Sequence, residues 1–207
     1  LGSNEVHDND ADYTGGGIYL YYSDSVTLQN LTIEDNTAGD YGGGIHVKDA
    51  PGLVLDGNTV SANHANYGGG VLTESGAEDS AATITNNTFD GNTATVSGGG
   101  AYLADGTGDN IDGNTFENNH AAYGGGLFWH SPDGCTTQNN TIISNVADDY
   151  GGGTYLYQTE TAQLLSYESY SSNSATEGGG LYCDDADYTE VAVSWFNNTP
   201  DSTSGCN

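Results

Sequence analysis

The stretch FDGNTATVSGGGAYL, residues 89–103, decides the fold, because its order of residue types returns along the whole chain. It reads apolar Phe89, then Asn92, then Ala94, then the triplet Gly98–Gly100, then alternating Ala101-Tyr102-Leu103. Triplets of glycine open at Gly15, Gly42, Gly68, Gly98, Gly124, Gly151 and Gly178, with spacings of 27, 26, 30, 26, 27 and 27 residues. Before each comes Asn-x-Ala, starting at Asn9, Asn36, Asn63, Asn92, Asn119, Asn145 and Asn173. Three residues ahead of each Asn stands Val6, Ile33, Val60, Phe89, Phe116, Ile142 or Tyr170. A degenerate copy follows at Trp195 and Asn198, with Pro200 in the alanine slot and no triplet. A period this regular means one supersecondary unit stacked along an axis, a solenoid.

After each triplet the chain alternates with period two, as a strand does. The first and third positions are apolar in most units and point inward. The second position holds Tyr19, His46, Leu72, Tyr102, Phe128, Tyr155 and Tyr182. That row is expected to face outward as an aromatic stripe, suited to ring stacking between coils, to subunit packing or to sugar contact. No stretch has helical periodicity. The expectation is an all-β chain: one parallel β-helix over residues 1–207, about eight coils of roughly 27 residues with three short strands each. Full repeats run from about 6 to 182, and residues 183–207 form a degenerate last coil and tail.

In such a coil the asparagines have a physical task. An Asn at a turn can donate to one neighbouring coil and accept from the other. Asn9, Asn36, Asn63, Asn92, Asn119, Asn145, Asn173 and Asn198 are therefore expected to form an internal ladder. Alanine fits a crowded corner, and glycine permits positive φ and close approach of coils.

The paired elements Gly98-Gly99-Gly100-Ala101 and Phe89-Asp90-Gly91-Asn92 resemble the repeats of chlamydial polymorphic outer-membrane proteins. They are also similar to the wider right-handed parallel β-helix repeats of bacterial surface proteins. The resemblance runs from Val6 to Pro200. It implies a right-handed solenoid and a surface-exposed or secreted, often adhesive, role, and it brings no catalytic residues with it.

The chain carries 29 acidic residues against a single Lys, Lys48, and no Arg, for a formal net charge of −28. Nucleic acid, phosphate-rich ligands and anionic membranes all need basic contacts, so the charge argues against each as a direct partner. The acids cluster between strands, as at Glu78/Asp79, Asp148/Asp149 and Asp184/Asp185, which reads as a solvated surface. Asp8, Asp10 and Asp12 have the alternating oxygens of a calcium loop and are the candidate Ca²⁺ ligands, although they lack the glycine and distal glutamate of an EF-hand. No cofactor is required by any motif. The five histidines show no zinc spacing.

Three cysteines leave one over. Cys183 and Cys206 lie about one coil apart, so a disulfide between them is the candidate pairing. Cys135 lies about two coils before Cys183, too far for that bridge. A chain that starts at Leu1, with no signal peptide or apolar span, reads as processed from something longer.

Many β-helices cleave polysaccharides. Removal of a proton beside a bound uronate calls for a strong base, usually Arg or Lys, and Lys48 stands alone. Paired carboxylates occur at Asp148-Asp149 and Asp184-Asp185, but without the supporting residues of a hydrolase. The expectation is a non-enzymatic extracellular or cell-surface β-helix, structural or adhesive. It would self-associate into a surface fibre or filament, or engage a surface glycan or protein; the alternative is a glycan-binding surface module, and a degenerate polysaccharide-active enzyme comes third.

Overall fold

A computed structural model describes residues 4–74, 81–159 and 162–206. Glu78 and Asp79 lie outside those residues. Every strand pairing among the described residues is parallel, and no helix occurs among them.

The coil from Leu31 to Asp56 shows the plan. It contains strands Leu31–Glu34, Thr37–Ala38, Ile45–Lys48 and Val54–Asp56. Each stacks on its counterpart in the next coil, which gives four sheets of 8, 6, 8 and 7 strands. In the order met along one coil these are called the first to fourth sheets. About seven full coils are built, close to the expected number.

The expected three strands per coil are four. The additional one is the Asn-x-Ala segment, expected as a turn and found as a short strand. Its alanines, Ala38, Ala65, Ala94, Ala121 and Ala147, all point inward and are buried. The backbone between Asn and the glycines is therefore extended, with bulges that shift its register, as between Ala65 and Tyr67.

Equivalent positions stack in register: Ile33 on Val60, Phe89 on Phe116, Leu103 on Trp129. Because a solenoid repeats residue type along its axis, like lies on like. The Phe89 and Phe116 rings stack with centroids 4.8 Å apart. Ile33, Val60, Phe89, Phe116 and Ile142 from the first sheet meet Leu103, Trp129 and Leu156 from the third and Leu55, Ile84 and Ile111 from the fourth in one buried core.

The corners are made by single left-handed residues. Asp35, Ala62, Asn118 and Ser144 have φ of 53–58° and each immediately precedes a ladder asparagine. At the glycine corner, Gly42 has φ of 60°. A Cβ on Gly43 would sit 2.4 Å from the Gly69 carbonyl oxygen and 2.5 Å from that of His64, both in the next coil. The triplet thus turns the chain while the coils stay in contact, and it joins the second sheet to the third.

Candidate functional site

Asn36, Asn63, Asn92, Asn119, Asn145 and Asn173 of the expected ladder take the same buried place, with Asn9 exposed at one end of the stack and Asn198 half-buried at the other. Asn92 Oδ1 accepts from Asn63 N and Asn63 Nδ2, both at 3.0 Å. Asn92 Nδ2 donates to the Val60 carbonyl at 2.8 Å and to Asn119 Oδ1 at 3.1 Å. The chain of contacts runs unbroken from Asn9 through Asn36, Asn63, Asn92, Asn119, Asn145 and Asn173 to Asn198.

A second ladder was missed by sequence inspection. Asn58, Asn87, Asn114 and Asn140 bond in the same way, each five residues ahead of a first-ladder asparagine. That constant offset was the available signal. Glu168 takes the next rung and accepts from Thr137 Oγ1, Asn140 N and Asn140 Nδ2.

The calcium candidates do not converge. Asp10 lies in the short strand Asp10–Ala11, and Asp8 is left-handed with its carboxylate 2.8 Å from His7 Nδ1. Among the described residues no three His, Cys, Asp or Glu side chains gather as metal ligands do. Cys183 and Cys206 form a disulfide with Cα atoms 4.8 Å apart. Cys135 is a buried free thiol that donates to the Gly106 carbonyl, and burial pushes its pKa up to about 11.

The outward ring row needs the largest correction. It points away from the core but most of it is not exposed. Tyr19 is 44 % exposed, whereas His46, Leu72, Phe128 and Tyr155 are all below 9 %, and Tyr102 and Tyr182 are half-buried. The reason is the glycine corner. Tyr41, Tyr67, Tyr123 and Tyr150, which precede the triplets, fold against the row from the second sheet. Tyr67 meets Tyr102 edge-on at 6.1 Å, and Tyr123 meets Tyr155 at 5.9 Å. Along the axis Tyr102, Phe128, Tyr155 and Tyr182 stack at 4.8, 4.9 and 5.2 Å. The result is a second, external aromatic layer along a concave groove.

The groove holds three hollows. The first, of about 310 Å³, lies between Tyr13, Tyr19, Tyr21, Tyr41, Lys48 and Glu74. The second, of about 290 Å³, shares Tyr41 and Glu74 with it and adds Tyr67, Tyr102, Asp105 and His130. The third, of about 270 Å³, is walled by Tyr123, Phe128, Tyr155, Tyr157 and Asp184. Successive hollows are centred two coils apart, about 10 Å at the usual strand spacing.

Each hollow has rings on its walls and a carboxylate on its rim. Glu74 Oε1 accepts from Lys48 Nζ at 3.1 Å and from His46 Nε2 at 3.0 Å. Asp105 pairs with His130 Nδ1 at 3.1 Å, and Tyr155 donates to Asp184 Oδ2 at 2.8 Å. Burial raises the Tyr102 hydroxyl to about 12 and raises that of Tyr155 further, so both stay neutral hydrogen-bonding groups. Burial also holds the His46 imidazole below its ordinary pKa, despite the adjacent Glu74, so the ring is neutral at pH 7.

A family model described as the right-handed beta helix region matches residues 16–196. The chain belongs to the right-handed β-helix family. The β-helix winds through nearly all of its length, and its fold is consistent with a surface or structural module. The family holds both enzymes and non-enzymes, and the match does not reach the chlamydial proteins in particular. No curated protein and no solved structure matches this β-helix.

Proposed function

We propose that the chain is an adhesive module of a cell surface or secreted protein, and that it binds an extended, neutral polysaccharide along the aromatic groove. The carrying observation is the row of three ring-walled hollows repeating every two coils. Sugar rings stack on aromatic faces through their apolar C–H surfaces, and carboxylates accept from sugar hydroxyls. An extended polymer of β-1,4-linked sugars repeats its orientation every second residue, a length close to two coil spacings. The coil spacing thus provides a ruler for such a ligand.

Charge selects among sugars. Asp105, Asp184 and Glu74 on the rim, within a net charge of −28, repel uronates and sulfated chains. Neutral polymers meet no such penalty. The groove is read as binding the chain without cutting its glycosidic links, since each rim carboxylate is tied to His, Lys or Tyr. An extracellular site is supported by the Cys183–Cys206 disulfide, because such bonds persist in oxidising compartments, and by the resemblance to bacterial surface repeats. Assembly into a fibre is the competing reading. Burial of most of the ring row takes away its face-to-face route, so adhesion stands ahead.

The test is affinity electrophoresis through gels holding neutral β-glucans, mannans or polygalacturonate. Retardation by a neutral polymer, lost in Tyr157→Ala, supports the reading. Equal migration in all gels, or retardation by polygalacturonate alone, overturns it.

A further inference from the structure

Four polar side chains, Thr14, His46, Lys48 and Glu74, meet in the first hollow. The residue ahead of the triplet is Tyr41, Tyr67, Tyr123 or Tyr150 in four coils and polar in the other three, Thr14, Ser97 and Glu177. The second strand position after the triplet is aromatic or Leu in six coils, but His46 in the second. Two positions on from His46 stands Lys48, the single cation of the chain, and the equivalent place one coil later holds Glu74. The coil register brings these four side chains into contact.

Thr14 Oγ1 is hydrogen-bonded to His46 Nδ1. His46 Nε2 lies 3.0 Å from Glu74 Oε1. Glu74 Oε1 also accepts from Lys48 Nζ at 3.1 Å. A carboxylate only accepts, so His46 carries its proton on Nε2 and donates it to Glu74. Nδ1 is then the acceptor, and the Thr14 hydroxyl donates to it. The imidazole is 3 % exposed, held between the Tyr19 ring at 5.0 Å and the Tyr41 ring at 5.8 Å. Glu74 and Lys48 are the charged groups that face it. Thr14 and His46 both line the open hollow.

We infer that Thr14, His46 and Glu74 form a hydroxyl–imidazole–carboxylate triad that hydrolyses ester groups, with O-acylated sugars of a groove-bound polymer as the substrate class. The chemical logic is that of an activated nucleophile whose base is oriented by a third group. Thr14 Oγ attacks the ester carbonyl and its proton passes to His46 Nδ1. A Thr14–acyl bond forms, and the ester C–O bond breaks. The proton on Nδ1 goes to the departing sugar oxygen. Water then adds to the acyl-threonine and gives a proton to His46. The carboxylic acid leaves, and Thr14 recovers its hydrogen. Glu74 balances the transient imidazolium. The N–H groups of Gly15, Gly16 and Gly17 all donate to carbonyls of the next coil, so they cannot hold the oxyanion. The Lys48 ammonium is the positive group that remains for it.

The substrate class rests on the glycan-groove reading, whereas the triad does not. The test uses the full chain with 4-nitrophenyl acetate and with a fluorophosphonate label, followed by peptide mass analysis. The label should join Thr14. Thr14→Val should slow acetate release by roughly a hundredfold, Thr14→Ser should retain it, and Lys48→Gln should lower kcat. The rate should fall at acid pH as His46 takes a proton. Retardation of the unaltered protein by an unesterified glucan is scored separately, so failure of the triad and failure of the groove reading are told apart. Acetate release at the wild-type rate in a folded Thr14→Val protein, or a label found elsewhere, overturns the triad.

Discussion

Replacing Glu168 by Asn should make the protein more stable above neutral pH and flatten its pH dependence. Glu168 occupies a rung of the second ladder and is 1 % exposed. Its Oε1 accepts from Thr137 Oγ1 at 2.7 Å and Asn140 Nδ2 at 3.0 Å, and its Oε2 accepts from Asn140 N at 3.1 Å. Those donors favour the charged form, but burial outweighs them, and the carboxyl is pushed up to about 7 from 4.5. A folded-state pKa above the unfolded one means that the folded protein binds the proton more tightly. The stabilising contribution is complete below about pH 4.5 and is lost as pH rises through 7. At about 1.4 kcal/mol per pKa unit, the loss across that window is about 3 kcal/mol. Asparagine carries no charge and repeats the rung used by Asn58, Asn87 and Asn114. Its shorter side chain gives back about 1 kcal/mol through the missing methylene. Urea unfolding followed by near-ultraviolet circular dichroism at pH 4.5 and pH 8 measures this. The variant should be slightly the weaker at pH 4.5 and stronger by about 2 kcal/mol at pH 8. The raised pKa of Asp109, about 6, is common to both proteins and cancels in the difference. Parallel stability curves for wild type and variant would refute the reasoning.

Asn92→Ala removes four ladder bonds and leaves their partners buried, so chemical denaturation should show a loss of about 4 kcal/mol. Gly43→Ala drives a Cβ to 2.4 Å from a neighbouring carbonyl oxygen and should cost about 3 kcal/mol or more, read as a lowered thermal midpoint. Tyr157→Ala strips one wall of the third hollow while leaving both ladders intact. It should weaken glucan binding about tenfold in calorimetry with little change in the thermal midpoint.

Much of the fold was legible because a solenoid writes its period into the sequence. Phe89, Asn92, Ala94 and Gly98 each have one task, and that task recurs at the same place in every coil. The second ladder was harder to see, because Asn58, Asn87, Asn114 and Asn140 lie among other asparagines such as Asn86 and Asn139. The inward one of each pair bonds to asparagine in a neighbouring coil, whereas Asn86 and Asn139 donate to the carboxylates of Asp56 and Asp112. The groove was less legible still. Alternation told that Tyr102 and Phe128 point away from the core. It could not tell that the left-handed turn at Gly98 and Gly124 folds the second sheet back over them. Burial of that row is a tertiary consequence of the corner angle. The contact of Thr14 with His46 and Glu74 joins residues up to 60 positions apart, and only the coil register brings them together.

The most direct measurement is a crystal structure of the protein with a neutral β-linked hexasaccharide. The account predicts a continuous sugar chain along the groove, with rings against Tyr41, Tyr67, Tyr123 and Tyr157 and successive disaccharides two coils apart. An empty groove at saturating sugar, or sugar bound on the first- or fourth-sheet face, would contradict it.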